Sequence, residues 1–88
     1  MLTEEQLAAA LAELPGWQQD GDRLRRVFEL DSFPAAIRLV RRVADLAEAS
    51  DHHPEILIQY RTVTLTLWSH DKGCVTERDT ALARAIES

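Results

Sequence analysis

The hydrophobic pattern changes period several times along the chain. Leu7, Leu11 and Leu14 recur at helical spacing behind Thr3 and Gln6, which stand at capping-box distance, and Pro15-Gly16 closes that helix. Trp17 opens a short extended piece, Asp20-Gly21-Asp22 has hairpin-turn chemistry, and Leu24 to Leu30 reads as a strand. Arg23, Arg25 and Glu29 alternate there with Leu24 and Phe28, and the pattern blurs at Arg26-Val27. Asp31-Ser32-Phe33-Pro34 supplies a capping oxygen and a first-turn proline for a second helix running to about Ala49. Its apolar stripe is Phe33, Ala36, Ile37, Val40, Ala44 and Ala47, widened by Leu39, Val43 and Leu46. Arg38, Arg41, Arg42 and Asp45 form the opposite face, which reads as a solvated one. Pro54 disfavours helical geometry at His53, so this helix must stop before it.

Ile56 to Tyr60 and Thr62 to Trp68 then alternate as strands. In the second, Val63, Leu65 and Leu67 face one way, and Thr62, Thr64, Thr66 and Trp68 face a side that is solvated or meets a partner. After a loop containing Gly73, Thr76 caps a last helix, with Asp79 at the capping-box position and Leu82, Ala85 and Ile86 inward. The element order is α-β-β-α-β-β-α. Hairpins impose antiparallel pairing, so the expected fold class is α+β: a four-stranded antiparallel sheet with three helices packed on one face.

Size and charge narrow the function. At 88 residues the chain is one domain, 1–88, with a thin core that oligomerisation would supplement. A net charge of −5 argues against direct nucleic-acid binding, which needs a basic face. Cys74 is the single cysteine, so neither an intrachain disulfide nor a cysteine-based zinc site is expected. No apolar run approaches the ~20 residues of a membrane span. Met-Leu-Thr-Glu-Glu lacks the basic and apolar regions of a secretion signal, and a cytoplasmic location is expected.

The candidate chemistry concentrates at Glu48-Ala49-Ser50-Asp51-His52-His53-Pro54, between the second helix and the following strand. His70, the third and last histidine, lies at the far end of the next hairpin. With that hairpin's turn centred on Arg61, His52 falls opposite His70. Alternation in an extended segment would point His52 and His53 apart, unless the bend at Pro54 turns both towards one cleft. Glu48 stands one helical turn before His52 and could reach it; a carboxylate beside an imidazole favours the protonated ring and fixes its orientation, a route to a general acid near neutral pH. Each feature also has a plain reading: solvated loop histidines at 52, 53 and 70, a capping role for Asp79, and a core role for Trp17. Trp68 could line a cleft or an oligomer contact. A metal site is a weak candidate, because adjacent histidines on a strand end rarely converge on one ion.

The ordered set Glu48, His52-His53-Pro54, Tyr60, His70 and Asp79, with Leu-Pro-Gly-Trp at 14–17 and Thr-Glu-Arg-Asp at 76–79, resembles the pterin-4a-carbinolamine dehydratases over essentially the whole chain. The resemblance implies loss of water from 4a-hydroxytetrahydropterin to give quinonoid dihydropterin, in tetrahydropterin recycling, with no metal and no cofactor. It makes His52 and His70 the acid–base pair, with Glu48 tuning and orienting His52. It gathers His53, Asp51, Pro54 and Asp79 around the pterin: His53 helps hold it, Pro54 sets the backbone and Asp79 supports the site from the last helix. It also implies a homodimer or homotetramer. The sequence departs from the family at Ile56, where many relatives are aromatic, at Trp68, where a small residue is common, and at Ser69, where threonine is usual. Some relatives are dimerisation cofactors or assembly chaperones, so the alternative function is a non-catalytic interaction module.

Overall fold

The computed structural model describes residues 1–88. Three helices, α1 (Glu4–Ala12), α2 (Phe33–Ser50) and α3 (Glu77–Glu87), cover one face of a four-stranded antiparallel sheet made of β1 (Trp17–Asp20), β2 (Arg23–Glu29), β3 (Glu55–Gln59) and β4 (Thr62–Leu67). The expected order and class hold. The strands lie β1-β2-β4-β3, so β4 is central and β3 is an edge.

Alternation sets the two faces of the sheet. Leu24, Val63, Leu65 and Leu67 point inward and are fully buried, joining Leu7, Leu14, Trp17, Ala36, Val43, Leu82, Ala83 and Ile86 in the core. Arg26 has the same inward parity as Leu24 and Phe28, which is why the strand pattern blurs there. Its guanidinium carbon lies over the Phe28 ring, 4.0 Å from the centroid, and its Nε reaches Glu87 of α3 at 3.2 Å.

The helix caps form where the sequence placed them. Thr3 and Gln6 make a reciprocal box at α1, Ser32 Oγ accepts from Ala35 N–H at α2, and Thr76 and Asp79 make a box at α3. The α2 stripe is rotated from its expected position. Ala36, Val43 and Ala47 face the core, and Phe33 and Ile37 are left exposed. Arg42, expected on a solvated face, instead donates to the Ile86 carbonyl at the end of α3. That bond satisfies one of the carbonyls a helix leaves open at its C-terminus.

The β3–β4 register corrects the expected one by a residue. Glu55 pairs with Thr66 and Gln59 with Thr62, leaving a two-residue turn at Tyr60-Arg61 in which Tyr60 has φ 55°. Extended towards the open end, this register sets His52 opposite Ser69 rather than His70. No helix is long and apolar enough to cross a membrane.

Candidate active site

The site begins where α2 stops. Asp51 adopts the left-handed conformation, φ 50° and ψ 44°, and the chain turns sharply off the helix axis. The Asp51 N–H donates to Glu48 O at 3.3 Å, and the His52 N–H reaches back to Ala47 O at 3.1 Å. This pair of bonds is a Schellman closure, here with aspartate where glycine is commonest. Pro54 then holds the backbone extended into β3.

Alternation separates the two adjacent histidines. His52 turns inward and is buried, whereas His53 stays exposed. Their carboxylate partners differ from the expected arrangement. His52 Nε2 meets Asp79 Oδ1 at 2.5 Å. Glu48, expected to orient His52, instead contacts His53: Glu48 Oε2 accepts from His53 Nε2 in an exposed pair. The left-handed turn at Asp51 is the cause, because it carries His52 off the helical path that would have stacked it over Glu48.

Asp79 is fully buried, with all its acceptors turned to the protein. Oδ1 takes His52, and Oδ2 accepts from Ser69 Oγ at 2.9 Å and from the Thr76 N–H at 2.9 Å. Ser69 Oγ is in turn 2.6 Å from Thr76 Oγ1, and Ser69 is itself buried. A carboxylate out of water is tolerable only when its lone pairs are met in this way. One residue therefore caps α3 with one oxygen and fixes the His52 ring with the other.

His70 stands two residues beyond Trp68 and shares its parity, on the side opposite Ser69. A tight turn holds it: Ser69 N–H donates to Cys74 O at 2.9 Å and Gly73 N–H to Ser69 O at 2.8 Å. Its ring stacks on Trp68, with centroids 4.3 Å apart and planes 10° from parallel.

His52, His53 and His70 converge on one cavity of about 310 Å³, whose remaining lining is Asp51, Asp71 and Arg78. Every lining side chain is polar. The Arg78 Nη2 donates to the Asp51 carbonyl at 2.7 Å, tying α3 to the end of α2 across the cavity. On its other side His52 borders a second, largely apolar cavity of about 360 Å³ that includes Leu46, Leu82 and Ala85.

The structure thus brings together His52, His53, His70 and Asp51. Glu48 adjoins the cavity through His53. Asp79 and Pro54, expected among the residues around the substrate, do not line it: Asp79 lies buried behind His52. Arg78 and Asp71 were not singled out by sequence reading, and Ser69 was named only as a departure from the family's usual threonine. The signal for Arg78 was its place beside Asp79 in the Thr76-Glu77-Arg78-Asp79 run; that for Ser69 was a hydroxyl at the position before His70. No group of three or more His, Cys, Asp or Glu side chains is placed to hold a metal ion.

Known proteins share the sequence pattern and the fold of this chain. The profile of the family described as Pterin 4 alpha carbinolamine dehydratase matches residues 1–88. A protein of Mycobacteroides abscessus, provisionally named pterin-4-alpha-carbinolamine dehydratase, is 50% identical over 88 residues, covering 100% of this chain and 94% of its own. One of Nocardia farcinica with the same provisional name is 52% identical over 87 residues, covering 99% and 92%. The crystal structure of a transcriptional coactivator/pterin dehydratase from Brucella melitensis superposes with a TM-score of 0.93 at 36% identity, covering 98% of this chain and 94% of that one. A pterin dehydratase-like protein identified as a RuBisCO assembly factor in the alpha-carboxysome shares the fold, with a TM-score of 0.70 at 23% identity, covering 82% and 86%. The chain belongs to the pterin 4 alpha carbinolamine dehydratase family.

Proposed function

We propose that this protein dehydrates 4a-hydroxytetrahydropterin to quinonoid dihydropterin, by histidine general acid–base catalysis, in tetrahydropterin recycling. The observation that carries the reading is the convergence of all three histidines on one polar cavity, with one of them locked against a buried carboxylate. The reaction breaks the bond from C4a to the hydroxyl oxygen. An acid must protonate the departing hydroxyl, which leaves as water, and a base must take the N5 proton as the C4a–N5 double bond forms. His52 and His70 are suited to this exchange from two sides of the cavity. With Nε2 of His52 engaged by Asp79, Nδ1 is the ring nitrogen left to serve the substrate. The Asp79 carboxylate accepts from Nε2 and so fixes that tautomer and the orientation of the ring. His53, steadied by Glu48, and Asp51 are assigned to holding the pterin, and Pro54 to setting the backbone between them. Asp79 is assigned to positioning rather than to substrate contact.

The test is the rate of dehydration of freshly generated 4a-hydroxytetrahydropterin, measured for wild type, His52→Ala and His70→Ala. General acid–base catalysis contributes about 10²–10⁴-fold, and a loss of that order in either folded variant is expected. Activity that survives both substitutions would overturn the assigned roles.

A second reading, a partner-binding module, is favoured by the exposed apolar side chains Leu57 and Ile58 on edge strand β3. The Brucella relative's description as a coactivator points the same way. The two readings separate in the same assay, because a pure module leaves the spontaneous rate unchanged. We assign the protein to the cytoplasm as a homodimer or homotetramer, an assembly that would cover these residues.

A further inference from the structure

We infer that Trp68 is a positioning residue for His70, holding an otherwise exposed imidazole in its working orientation. This rests on the reading of His70 as an acid–base residue.

The two histidines of the proposed pair are supported very differently. His52 is buried, with its ring fixed by Asp79 and its backbone closed onto α2. His70 is exposed, and no side-chain hydrogen bond or ion pair fixes its ring. A free histidine samples three staggered χ1 wells and a roughly two-fold χ2, about six orientations in all. What restricts His70 is the indole of Trp68: the rings lie 4.3 Å apart and 10° from parallel. That is the stacked contact aromatic rings favour.

The placement follows from strand alternation continued past the end of β4. Leu67 and Ser69 point inward and are buried, so Trp68 and His70 emerge together on the outer face. Trp68 is held in turn. Leu24 pairs with Leu67, so one step further the register sets Arg23 opposite Trp68. The Arg23 guanidinium lies 3.9 Å from the indole centroid, a cation–π contact. Carboxylates on two elements retain that guanidinium, Glu55 of β3 at 3.9 Å and Asp22 of the β1–β2 turn at 3.8 Å. Order therefore passes from the sheet through Arg23 and Trp68 to the His70 ring.

The experiment joins NMR of the His70 ring protons to steady-state kinetics, for wild type, Trp68→Ala and Trp68→Phe. In wild type the His70 ring resonances, assigned by their loss in His70→Ala, should be displaced upfield by the indole ring current. They should return to the free-imidazole position in Trp68→Ala. Releasing the ring into about six orientations should lower kcat by up to about sixfold, with KM changed much less, because a productive orientation is lost rather than a substrate contact. Trp68→Phe keeps a flat face and should recover most of kcat and part of the displacement. An undisplaced His70 resonance in wild type overturns the inference. So does an unchanged kcat in Trp68→Ala, or a loss that phenylalanine does not restore in a folded protein. Absence of any wild-type dehydration would refute the dehydratase reading instead, and the resonances would still decide whether Trp68 orients His70.

Discussion

Replacing Asp79 by alanine should damage the fold as much as the site. Asp79 is fully buried and receives His52 Nε2, Ser69 Oγ and the Thr76 N–H. Its removal strands those donors, including the backbone donor at the start of α3. Each buried polar group left unmet costs about 1–3 kcal/mol, and three donors lose their acceptor here. These costs overlap, so a loss of about 4 kcal/mol is expected for Asp79→Ala. An 88-residue domain holds roughly 4–13 kcal/mol in total at typical values per residue. The variant should thus be near its unfolding midpoint or well below wild-type stability. Asp79→Asn keeps the shape and two acceptor contacts but turns an amide towards His52, so a loss of about 2 kcal/mol is expected. Urea unfolding followed by circular dichroism, at one fixed protein concentration because assembly contributes to apparent stability, measures both. Adding His52→Ala to each Asp79 variant completes a double-mutant cycle, and a coupling within about 0.5–3 kcal/mol is expected. A loss under about 1 kcal/mol for Asp79→Ala, or no coupling to His52, would refute the description of Asp79 as the buried centre of this network.

Three further outcomes follow from the same geometry. Glu48→Ala removes an exposed pair with His53 and should change stability by no more than about 1 kcal/mol in urea unfolding, while raising KM more than it lowers kcat. Gly16→Ala should destabilise by about 1–3 kcal/mol in thermal unfolding, because Gly16 has φ +90° and an added Cβ would stand 2.7 Å from the Arg26 guanidinium. Light scattering should report a dimer or tetramer, and Leu57→Lys on the exposed edge should shift it towards monomer.

The fold was legible because its signals are local. Period changes marked the strands, and Ser32, Thr3, Thr76 and Pro15 marked helix ends with side chains whose physics acts within a turn. The site was legible as a set of residues but not as a set of pairs. Helical spacing offered Glu48 as the partner of His52, yet a single left-handed residue, Asp51, breaks that spacing and delivers Glu48 to His53. Asp79 lies 27 positions from His52, and only tertiary packing joins them. The capping reading of Thr76 and Asp79 was right and incomplete, because capping occupies one carboxylate oxygen and leaves the other free for the histidine. The hairpin slipped by one residue because Tyr60 carries a positive φ that no tyrosine advertises. That slip explains why His70 was expected opposite His52, where Ser69 is instead.

The closure of α2 on His52 also bears on how the molecule opens. Helix ends ordinarily fray first, and terminal amides exchange with solvent through small local excursions. Here the last turn cannot fray by itself. The His52 amide is bonded to Ala47, its ring to Asp79, and the neighbouring Asp51 carbonyl to Arg78. Opening the end of α2 therefore means pulling on α3 as well. The His52 amide should exchange as slowly as amides in the centre of the sheet, making a helix terminus one of the most protected points of the chain.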